Sequence, residues 1–592
     1  MQWVFVLLVA PLILLALIEA GLRAGGYGCS VHPFTRHSEN GRTVFVLDRH
    51  FYEQFFAWKI PPEQWMRHEQ AVPETKPANT CRVFVFGSSA AAGWPDPRES
   101  FSRILSVLLK TRYPSVNFEM HNLSYPGLNS HVMRAIAHEC ARLQPDVFLV
   151  YMGNNEVSGP FGLVTGTSTR SRAWWTWLIQ TRIKASNFRL IQLMSRSGIE
   201  NAVTAAATSK SITGDQSRGL RVDDPVLSRV YSAFRANLED LCNEGARAGA
   251  TTVLSTVGGN LRDWPPMFSG HCRDLEQSVL RQWTVAFERG KSAQEKAEYS
   301  DATAAYKEAL ALDDSHAELQ FRLATCLAAI GADEEAKPHY LRALETDSFY
   351  WVRAKPAVNR AIRETAKDFA ARRVCLADSA EQLERGSPHG VPGVEYFGDN
   401  CHLILDGAYV VACTFLAQLE QTLPDWVRSQ AGSTPLPTPE ACARMLGLEK
   451  SERTALIRLY TKFEHLKEYP EIEKRYRDRL ASMDLDILPT PNDERVRTLR
   501  ETLRVLGGDY LTHLVLCETL TSMSAGEDAV REAQELKSAY PGIQTPEYIA
   551  AKALLCGKRY GEAADAFRQL LEKCPEYDEC RAGLAEALAA SQ

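Results

Sequence analysis

Short apolar runs alternate with longer segments of helical period over the first half of the chain. Val, Ile, Phe and Tyr dominate the short runs, which favours strands, while apolar positions three and four apart favour helices in between. This alternation predicts a parallel sheet covered by helices on both faces, with catalytic groups at the carboxyl ends of the strands. The predicted strands are 82–86, 116–122, 146–151 and 251–257, and the predicted helices are 100–112, 130–143 and 226–248.

After residue 275 the pattern becomes helical only and repeats at a spacing of 34 residues. Small residues and one aromatic residue recur at that spacing, which resembles the tetratricopeptide repeat (TPR), a pair of antiparallel helices. The matched pairs are Ala302 with Ala336, Tyr306 with Tyr340, Ala309 with Ala343, and Leu310 with Leu344. A second block near the chain end has the same spacing, at Gly557, Ala563, Phe567, Leu571 and Pro575.

Strand-like sequence returns after the first repeat block, at 372–376, followed by a predicted helix at 404–421. The repeats therefore interrupt one α/β domain, whose parts are 80–274 and 350–424, with the repeat insert at 275–349. A Pro-rich and Ser-rich stretch within 425–440 predicts a linker. The remaining residues, 441–592, predict a helical TPR-like domain with a break at 488–493.

The first 18 residues contain no charged side chain, and residues 1–22 are interpreted as an N-terminal membrane anchor. The basic residues Arg23, Arg36 and Arg42 all come after this segment, which by the positive-inside rule favours a cytoplasmic location for the rest of the chain. A short N-terminal anchor more often exports the residues that come after it. On that ground the bulk of the protein is expected to be extracytoplasmic, on the periplasmic side.

Composition narrows the possible functions. A net charge of -6 without a basic cluster argues against nucleic-acid binding. The 14 cysteines form neither a CxxC pair nor a regular ladder, so they predict neither a zinc knuckle nor a disulfide framework. Cys574 and Cys580 could pair in an oxidising compartment, but packed thiols are the favoured interpretation.

Two separated stretches carry candidate catalytic chemistry. In "FVFGSSAAAGW", Gly87 allows a sharp turn after the first strand, and Ser88 or Ser89 would begin the next helix, where backbone N–H groups favour negative charge. In "FGDNCHLILDG", Asp399 precedes His402 by three residues, close enough for the carboxylate to fix the imidazole tautomer. Taken alone, each stretch also fits a purely structural role: Ser89 or Asp399 could cap a helix, and His402 could be a structural histidine.

Four blocks in order resemble the SGNH or GDSL serine hydrolases. "FGSSAAAGW" resembles the block that carries the nucleophile, which the register places at Ser89. "NLSYPGLNS" resembles the second block, with Gly127, and "YMGNNE" resembles the third, with Asn155. "GDNCH" resembles the last, with Asp399 and His402. The resemblance covers about 80–270 and 350–424 and is nearest to a branch that carries inserted TPR repeats.

The resemblance implies a fold, a mechanism and a set of residues. The fold would be a flavodoxin-like three-layer α/β domain with a parallel sheet, carrying an all-α TPR superhelical insert and a C-terminal TPR-like domain. Ser89, His402 and Asp399 would form the catalytic triad. The Ser89 and Gly127 N–H groups and the Asn155 amide would form the oxyanion hole. The mechanism requires no metal ion and no cofactor.

Two positions depart from the family pattern. Ser88 stands where the family has an acidic residue, and Glu156 stands where it has Asp. The first changes a neighbour of the nucleophile, and the second lengthens a side chain beside Asn155. Neither departure removes a catalytic atom.

Two further stretches are candidates for contact with substrate. Asn260, Arg262 and Asp263 lie on a loop at the active end of the sheet and could bind substrate or simply hold a turn through an Arg–Asp pair. The tryptophans of "WWTWLIQTRI" (174–183) suggest a lid or membrane-touching surface, with buried packing as the favoured interpretation.

The sequence therefore predicts a membrane-anchored serine esterase whose repeats dock a protein partner or a substrate polymer. Its substrate would be an ester, either a glycan O-acyl group or a lipid ester. Two alternatives remain open: a non-catalytic TPR scaffold with a degenerate hydrolase domain, and a glycan O-acetyltransferase that uses the same residues.

Overall fold

The computed structural model of the protein describes residues 10–29, 31–39, 41–56, 58–162, 172–194, 220–348, 353–449, 452–453, 468–482, 490–575 and 577–591. Two sheets, an inserted helical block and a C-terminal helical block make up this part of the chain. Strands β1 (Phe34–Glu39), β2 (Arg42–Leu47) and β3 (Ala71–Pro73) form a small antiparallel sheet. Sequence reasoning missed this sheet.

The second sheet is parallel and has five strands in the order β5-β4-β6-β7-β8. This is the order 2-1-3-4-5 of flavodoxin-like doubly wound sheets, in which ligands bind beyond the carboxyl ends of the strands. The predicted parallel sheet is thus confirmed. Its strands are β4 (Thr80–Gly87), β5 (Asn117–Asn122), β6 (Val147–Tyr151), β7 (Thr251–Ser255) and β8 (Val374–Ala377).

Helices that connect or follow these strands contact one another in two separate groups, as expected for a sheet covered on both faces. One group is α5 (Phe101–Arg112), α14 (Ser379–Gly386) and α15 (Leu405–Thr422). The other is α6 (Ser130–Cys140), α8 (Pro225–Arg247) and α13 (Pro356–Asp368). The three central strands β4, β6 and β7 are buried along their whole length and lie in the main hydrophobic core, whereas the edge strands β5 and β8 are only partly buried. Helix α7 (Arg172–Ala185) adds Ile179 and Ile183 to this core, whereas Trp177 is 60% exposed.

The inserted block lies between β7 and β8 and consists of paired helices: α9 (Gln277–Glu295), α10 (Tyr299–Leu312), α11 (Ala317–Ala329) and α12 (Asp333–Thr346). The repeat positions predicted from the 34-residue spacing form its core, since Ala302, Ala336, Tyr306 and Tyr340 are all at most 2% exposed. The TPR prediction is confirmed at this level. Because β8 hydrogen-bonds to β7, the chain returns to the same sheet after the insert.

The C-terminal block continues the helix pairing and contacts the N-terminal sheet. Its helices α19 (Asn492–Leu506), α20 (Tyr510–Ser522), α21 (Gly526–Ala539), α22 (Thr545–Cys556), α23 (Tyr560–Lys573) and α24 (Asp578–Ala590) contact one another in sequence. The Tyr510 hydroxyl donates to Met66 O at 2.8 Å and so joins the C-terminal block to the segment just before β3. Further helices are α2 (Arg49–Glu53), α3 (Pro62–Trp65), α4 (Ser89–Ala92), α16 (Asp425–Arg428), α17 (Pro439–Met445) and α18 (Pro470–Ser482).

The expectation of a membrane anchor is wrong for the described residues. Residues 10–22 of the predicted anchor belong to helix α1 (Ala10–Ala24), and residues 1–9 lie outside the described part of the chain. Helix α1 contains Glu19, whose carboxylate accepts the Arg189 and Leu190 backbone N–H groups and pairs with Arg23. From residue 10 onward, within the described ranges, no helix is long and apolar enough to cross a membrane. The extracytoplasmic location and the membrane partner were inferred from this anchor, so neither expectation is supported.

The 14 cysteines all lie within the described residues, and they are thiols rather than disulfides. Cys574 and Cys580, the one pair considered for a bridge, are both buried and are not bonded to each other.

Candidate active site

Ser89, Gly127 and Asn155 lie beyond the carboxyl ends of three adjacent strands. Strand β4 ends at Gly87, which pairs with Tyr151 at the end of β6. A Cβ atom on Gly87 would lie 2.3 Å from the Ala91 Cβ and 2.4 Å from Tyr151 O, so only glycine lets the chain turn here. Helix α4 then begins at Ser89, whose side chain is buried.

The structure brings Ser89, His402 and Asp399 into one hydrogen-bonded chain. The Ser89 Oγ lies 2.8 Å from His402 Nε2, although 313 residues separate the two in sequence. His402 Nδ1 lies 2.5 Å from Asp399 Oδ2. The Cys401 and His402 backbone N–H groups donate to Asp399 Oδ1 at 2.9 and 2.7 Å. The carboxylate is therefore held by its own turn and presents its second oxygen to the imidazole.

The electrostatics of the pair suit a histidine that carries positive charge during a reaction. Burial opposes ionisation of Asp399, but the neighbouring His402 charge and the hydrogen bonds to its carboxylate hold its pKa below the usual value. Burial likewise lowers the pKa of His402, and the Asp399 carboxylate outweighs it, raising that pKa well above 6.5. The Trp94 ring lies 4.7 Å from the imidazole and covers one side of it.

Asn155 contacts the segments that carry Ser88 and Gly127. Its buried amide donates to the Ser88 Oγ and, at 3.2 Å, to Leu128 O. It thus touches the residue before Ser89 and the residue after Gly127. Gly127 has φ +80°, the left-handed region that favours glycine, and a Cβ atom there would lie 3.2 Å from the Phe56 ring.

Glu156 fixes the start of helix α6 beside the site. Its carboxylate accepts from the Ser130 hydroxyl at 2.6 Å and from the Ser130 N–H at 3.2 Å. Burial raises the pKa of Glu156 to about 7, against which these two hydrogen bonds act only in part. The extra methylene relative to Asp therefore serves a contact to the neighbouring helix.

The three residues considered for substrate contact form hydrogen bonds and ion pairs with other groups of the protein. The Asn260 amide donates to Asp399 O and to the Tyr476 hydroxyl, both at 3.1 Å. Asp263 is fully buried and pairs with Arg262 at 3.0 Å and with Arg475 at 2.5 Å. Their polar atoms hold the loop against the turn that carries Asp399.

Sequence reasoning missed the parts played by Ser88, Trp94 and Tyr476. Ser88 was considered as an alternative to Ser89 and as a departure from the family pattern, but its contact with Asn155, whose amide donates to the Ser88 hydroxyl, was not predicted. Tyr476 is 216 residues from Asn260, and no local pattern could have connected them.

One group of side chains has the composition of a metal site. Asp399, Cys401 and His402 each place one ligand atom within 4.8 Å of the others. Both His402 ring nitrogens are already engaged, by Asp399 and Ser89. Burial raises the pKa of the Cys401 thiol, which opposes the thiolate form that binds metals.

Comparisons with known proteins find the repeats only. No family model matches the chain, and no curated protein matches it. Solved structures that are similar include a thermophilic TPR protein of Thermus thermophilus, with 14% identity, 52% of this chain and 99% of that chain covered, and a TM-score of 0.16. A TPR protein of Parabacteroides merdae has 11% identity, the same coverage and a TM-score of 0.18. Scores this low carry no argument about activity or partners.

Proposed function

We propose that this chain is a serine hydrolase that cleaves carboxylic ester bonds with Ser89, His402 and Asp399. The observation that carries the proposal is the pair of contacts at 2.8 and 2.5 Å, which join a hydroxyl, an imidazole and a carboxylate in the order that nucleophilic catalysis requires. The order Ser–His–Asp also runs through both ring nitrogens, so the tautomer with Nδ1–H leaves Nε2 free to accept a proton.

The reaction proceeds from these roles. The Ser89 Oγ attacks the ester carbonyl while its proton passes to His402 Nε2, and Asp399 stabilises the imidazolium that forms. Collapse of the tetrahedral intermediate breaks the bond to the alcohol oxygen, which leaves with the proton from His402. Water, deprotonated by the same imidazole, then attacks the acyl-serine. Collapse of this second tetrahedral intermediate breaks the bond to the Ser89 Oγ, which takes the proton from His402, and the carboxylic acid is released.

The negative charge on the carbonyl oxygen needs hydrogen-bond donors. The Ser89 N–H at the start of α4, the Gly127 N–H and the Asn155 amide are the proposed donors, since all three lie beyond adjacent strand ends. Loss of one such donor typically costs roughly 3–4 kcal/mol of barrier. Asn155 would turn from the Ser88 Oγ or Leu128 O to the oxyanion as charge develops.

The proposed substrate class is an ester of a carboxylic acid, either an O-acyl group on a glycan or a lipid ester. Acyl transfer to a sugar hydroxyl would use the same residues, with that hydroxyl in place of water. The two reactions are told apart by supplying an acyl-donor ester with and without a saccharide and measuring free acid against acylated sugar.

A second candidate function is protein binding by the helical repeats. The helix pairs of the insert and of the C-terminal block favour it, because stacked helix hairpins form extended surfaces that bind other proteins. If the hydrolase site is inactive, protein binding would be the chain's function and the chain would be a scaffold. If the site is active, protein binding would accompany catalysis.

The test is turnover of a short-chain p-nitrophenyl ester by the full chain. We expect Ser89→Ala to lower kcat/KM by at least about 10³-fold without changing the melting temperature by more than about 2 °C. The matched control is Ser387→Ala, which removes another buried hydroxyl, one that donates to Leu383 O at 2.8 Å. Equal rates for wild type and Ser89→Ala would overturn the hydrolase proposal and leave the scaffold.

A further inference from the structure

One short segment of the chain links the inserted repeats to the turn that carries Asp399. We call it the strap: Tyr469 together with helix α18 (Pro470–Ser482). At its beginning, the Tyr469 ring lies 5.7 Å from the Phe321 ring of helix α11, and the Arg322 guanidinium lies over it at 4.6 Å. Ile472 is fully buried in the same hydrophobic cluster as the repeat residues. The repeats therefore hold one end of the strap.

Two arginines attach the rest of the strap to the α/β domain. Arg475 Nε lies 2.5 Å from Asp263 Oδ1, and Arg479 pairs with Asp406 in the first turn of α15. Burial opposes charge on Asp263, but Arg475 and Arg262 more than compensate and keep its pKa low. A buried carboxylate that lost one of these partners would be costly, so the attachment is specific.

Between these attachments, Tyr476 reaches the catalytic turn through Asn260. The Asn260 amide nitrogen donates to the Tyr476 hydroxyl and to Asp399 O, each at 3.1 Å. The Asn260 Oδ1 accepts a hydrogen bond from the Asp263 N–H at 2.9 Å. This contact orients the side-chain amide so that its nitrogen, and not its oxygen, faces Asp399. The Asn260 N–H also donates to Asn400 O at 3.0 Å. Since Tyr476 is 1% exposed, its hydroxyl has a fixed position.

We propose that Tyr476 is a positioning residue for the triad: through Asn260 it fixes the backbone of Asp399, and the strap makes that position depend on the inserted repeats. The inference rests on the proposed function for its effect on rate. Its structural part, the restraint of the turn at 399–402, is independent of whether the site is active. A misplacement of about 1 Å at a catalytic group can cost on the order of 10²-fold in rate.

The test is Tyr476→Phe, which removes only the hydroxyl. We expect kcat on a p-nitrophenyl ester to fall about 10-fold, with KM unchanged within a factor of about 2. The matched control is Tyr469→Phe, the same substitution in the same strap, where the ring meets the repeats and not the catalytic turn. Its kcat should stay within a factor of about 2 of wild type.

A second measurement reads the turn directly by hydrogen exchange of the peptide that contains Cys401 and His402. Both amides are bonded to Asp399 Oδ1, so a loosened turn should exchange them at least about 5-fold faster in Tyr476→Phe. Amides of strand β4 should be unchanged. In case Tyr476→Phe does not fold, Asn260→Ser shortens the same connection from the other side and should give the same pair of effects.

The outcomes separate the two claims. If wild-type protein shows no ester turnover but hydrogen exchange at residues 401–402 is still faster in Tyr476→Phe, the proposed function is wrong and the restraint of the turn by Tyr476 is supported. Turnover in wild type with unchanged kcat and unchanged exchange in Tyr476→Phe would overturn the positioning claim alone. Equal loss of kcat in Tyr469→Phe would also overturn it, because the effect would then be a general loss of strap packing.

Discussion

Replacement of Asp399 by Asn tests the role of the carboxylate in the proposed triad. Asp399 Oδ1 accepts two backbone N–H groups, and Oδ2 faces His402 Nδ1 at 2.5 Å. In Asp399→Asn the carbonyl oxygen should keep the two backbone donors, which turns the NH₂ group toward Nδ1. Nδ1 must then accept a hydrogen bond, so the imidazole proton moves to Nε2, where it blocks proton transfer from Ser89.

The size of the effect is set by the cost of restoring the productive tautomer. In the productive tautomer, the Nδ1–H of His402 faces the NH₂ group of the substituted side chain, so two buried donors lack acceptors. Each unsatisfied donor costs about 1–3 kcal/mol, and the two together therefore cost about 4 kcal/mol. That energy corresponds to a rate loss of roughly 10³-fold, and the same substitution in serine-protease triads costs roughly 10⁴-fold. We expect kcat/KM for a p-nitrophenyl ester to fall by about 10³–10⁴-fold in Asp399→Asn.

The pH dependence provides a second readout with a definite sign. In wild type, burial lowers the pKa of His402, but Asp399 outweighs it and raises that pKa well above 6.5. Activity requires the neutral imidazole, so it should rise with pH through this elevated value. Without the carboxylate the lowering by burial remains, and the acidic limb of the residual activity should move to lower pH.

The matched control is Asp313→Asn in the inserted repeats. Asp313 also bonds a histidine, His271 Nδ1 at 2.8 Å, and accepts two backbone N–H groups, from Cys272 at 3.2 Å and Ser315 at 3.0 Å. This variant should keep ester turnover within a factor of about 2. The reasoning is refuted if Asp399→Asn retains more than a tenth of wild-type kcat/KM, or if the acidic limb moves to higher pH.

Three further predictions concern the oxyanion hole, a buried acid and the repeat core. Asn155→Ala should lower kcat about 10²–10³-fold with KM nearly unchanged in the ester assay, and a loss under about 5-fold would exclude its amide from the oxyanion hole. Burial raises the pKa of Glu156 from 4.5 to about 7, so its contribution to stability is full below pH 4.5 and is lost as pH rises through about 7. Urea unfolding of Glu156→Gln should therefore show a smaller loss of stability between about pH 5 and 8 than wild type, by on the order of 3 kcal/mol, and an unchanged pH slope would contradict this. Gly290→Ala places a Cβ atom 2.5 Å from the Tyr306 ring and should cost about 1–3 kcal/mol in urea unfolding, whereas Gly561→Ala, with no atom within 4 Å, should be neutral or stabilising; equal costs would refute this account of repeat packing.

The parts of the site that lie near strand ends could be predicted from the sequence. Ser89 and Asn155 each come closely after an apolar run, and parallel strands bring their carboxyl ends to one edge, so local pattern was enough to place them together. Asp399 and His402 belong to one turn, and their spacing of three residues alone predicts the contact. The helix repeat was predictable for a similar reason, since Tyr306 and Tyr340 occupy equivalent core positions.

Other features depend on contacts that leave no local signal. Tyr476 belongs to a helix that contacts both the insert and, through Asn260, the turn at 399–402, so only the three-dimensional structure connects it with Asp399. The small sheet of β1 to β3 was missed because its packing partners come from the C-terminal block, which is distant in sequence. The membrane anchor was overestimated because apolar residues were counted without regard to Glu19, which binds the backbone N–H groups of Arg189 and Leu190.

The central claim is that the Ser89 hydroxyl is activated by His402. The most direct measurement is treatment of the folded chain with a fluorophosphonate and subsequent peptide mapping of the adduct. The account predicts a single adduct on Ser89, with none on Ser88, and labelling at least about 10²-fold slower in His402→Ala. An unlabelled wild-type protein, or labelling that is equally fast without His402, would contradict it.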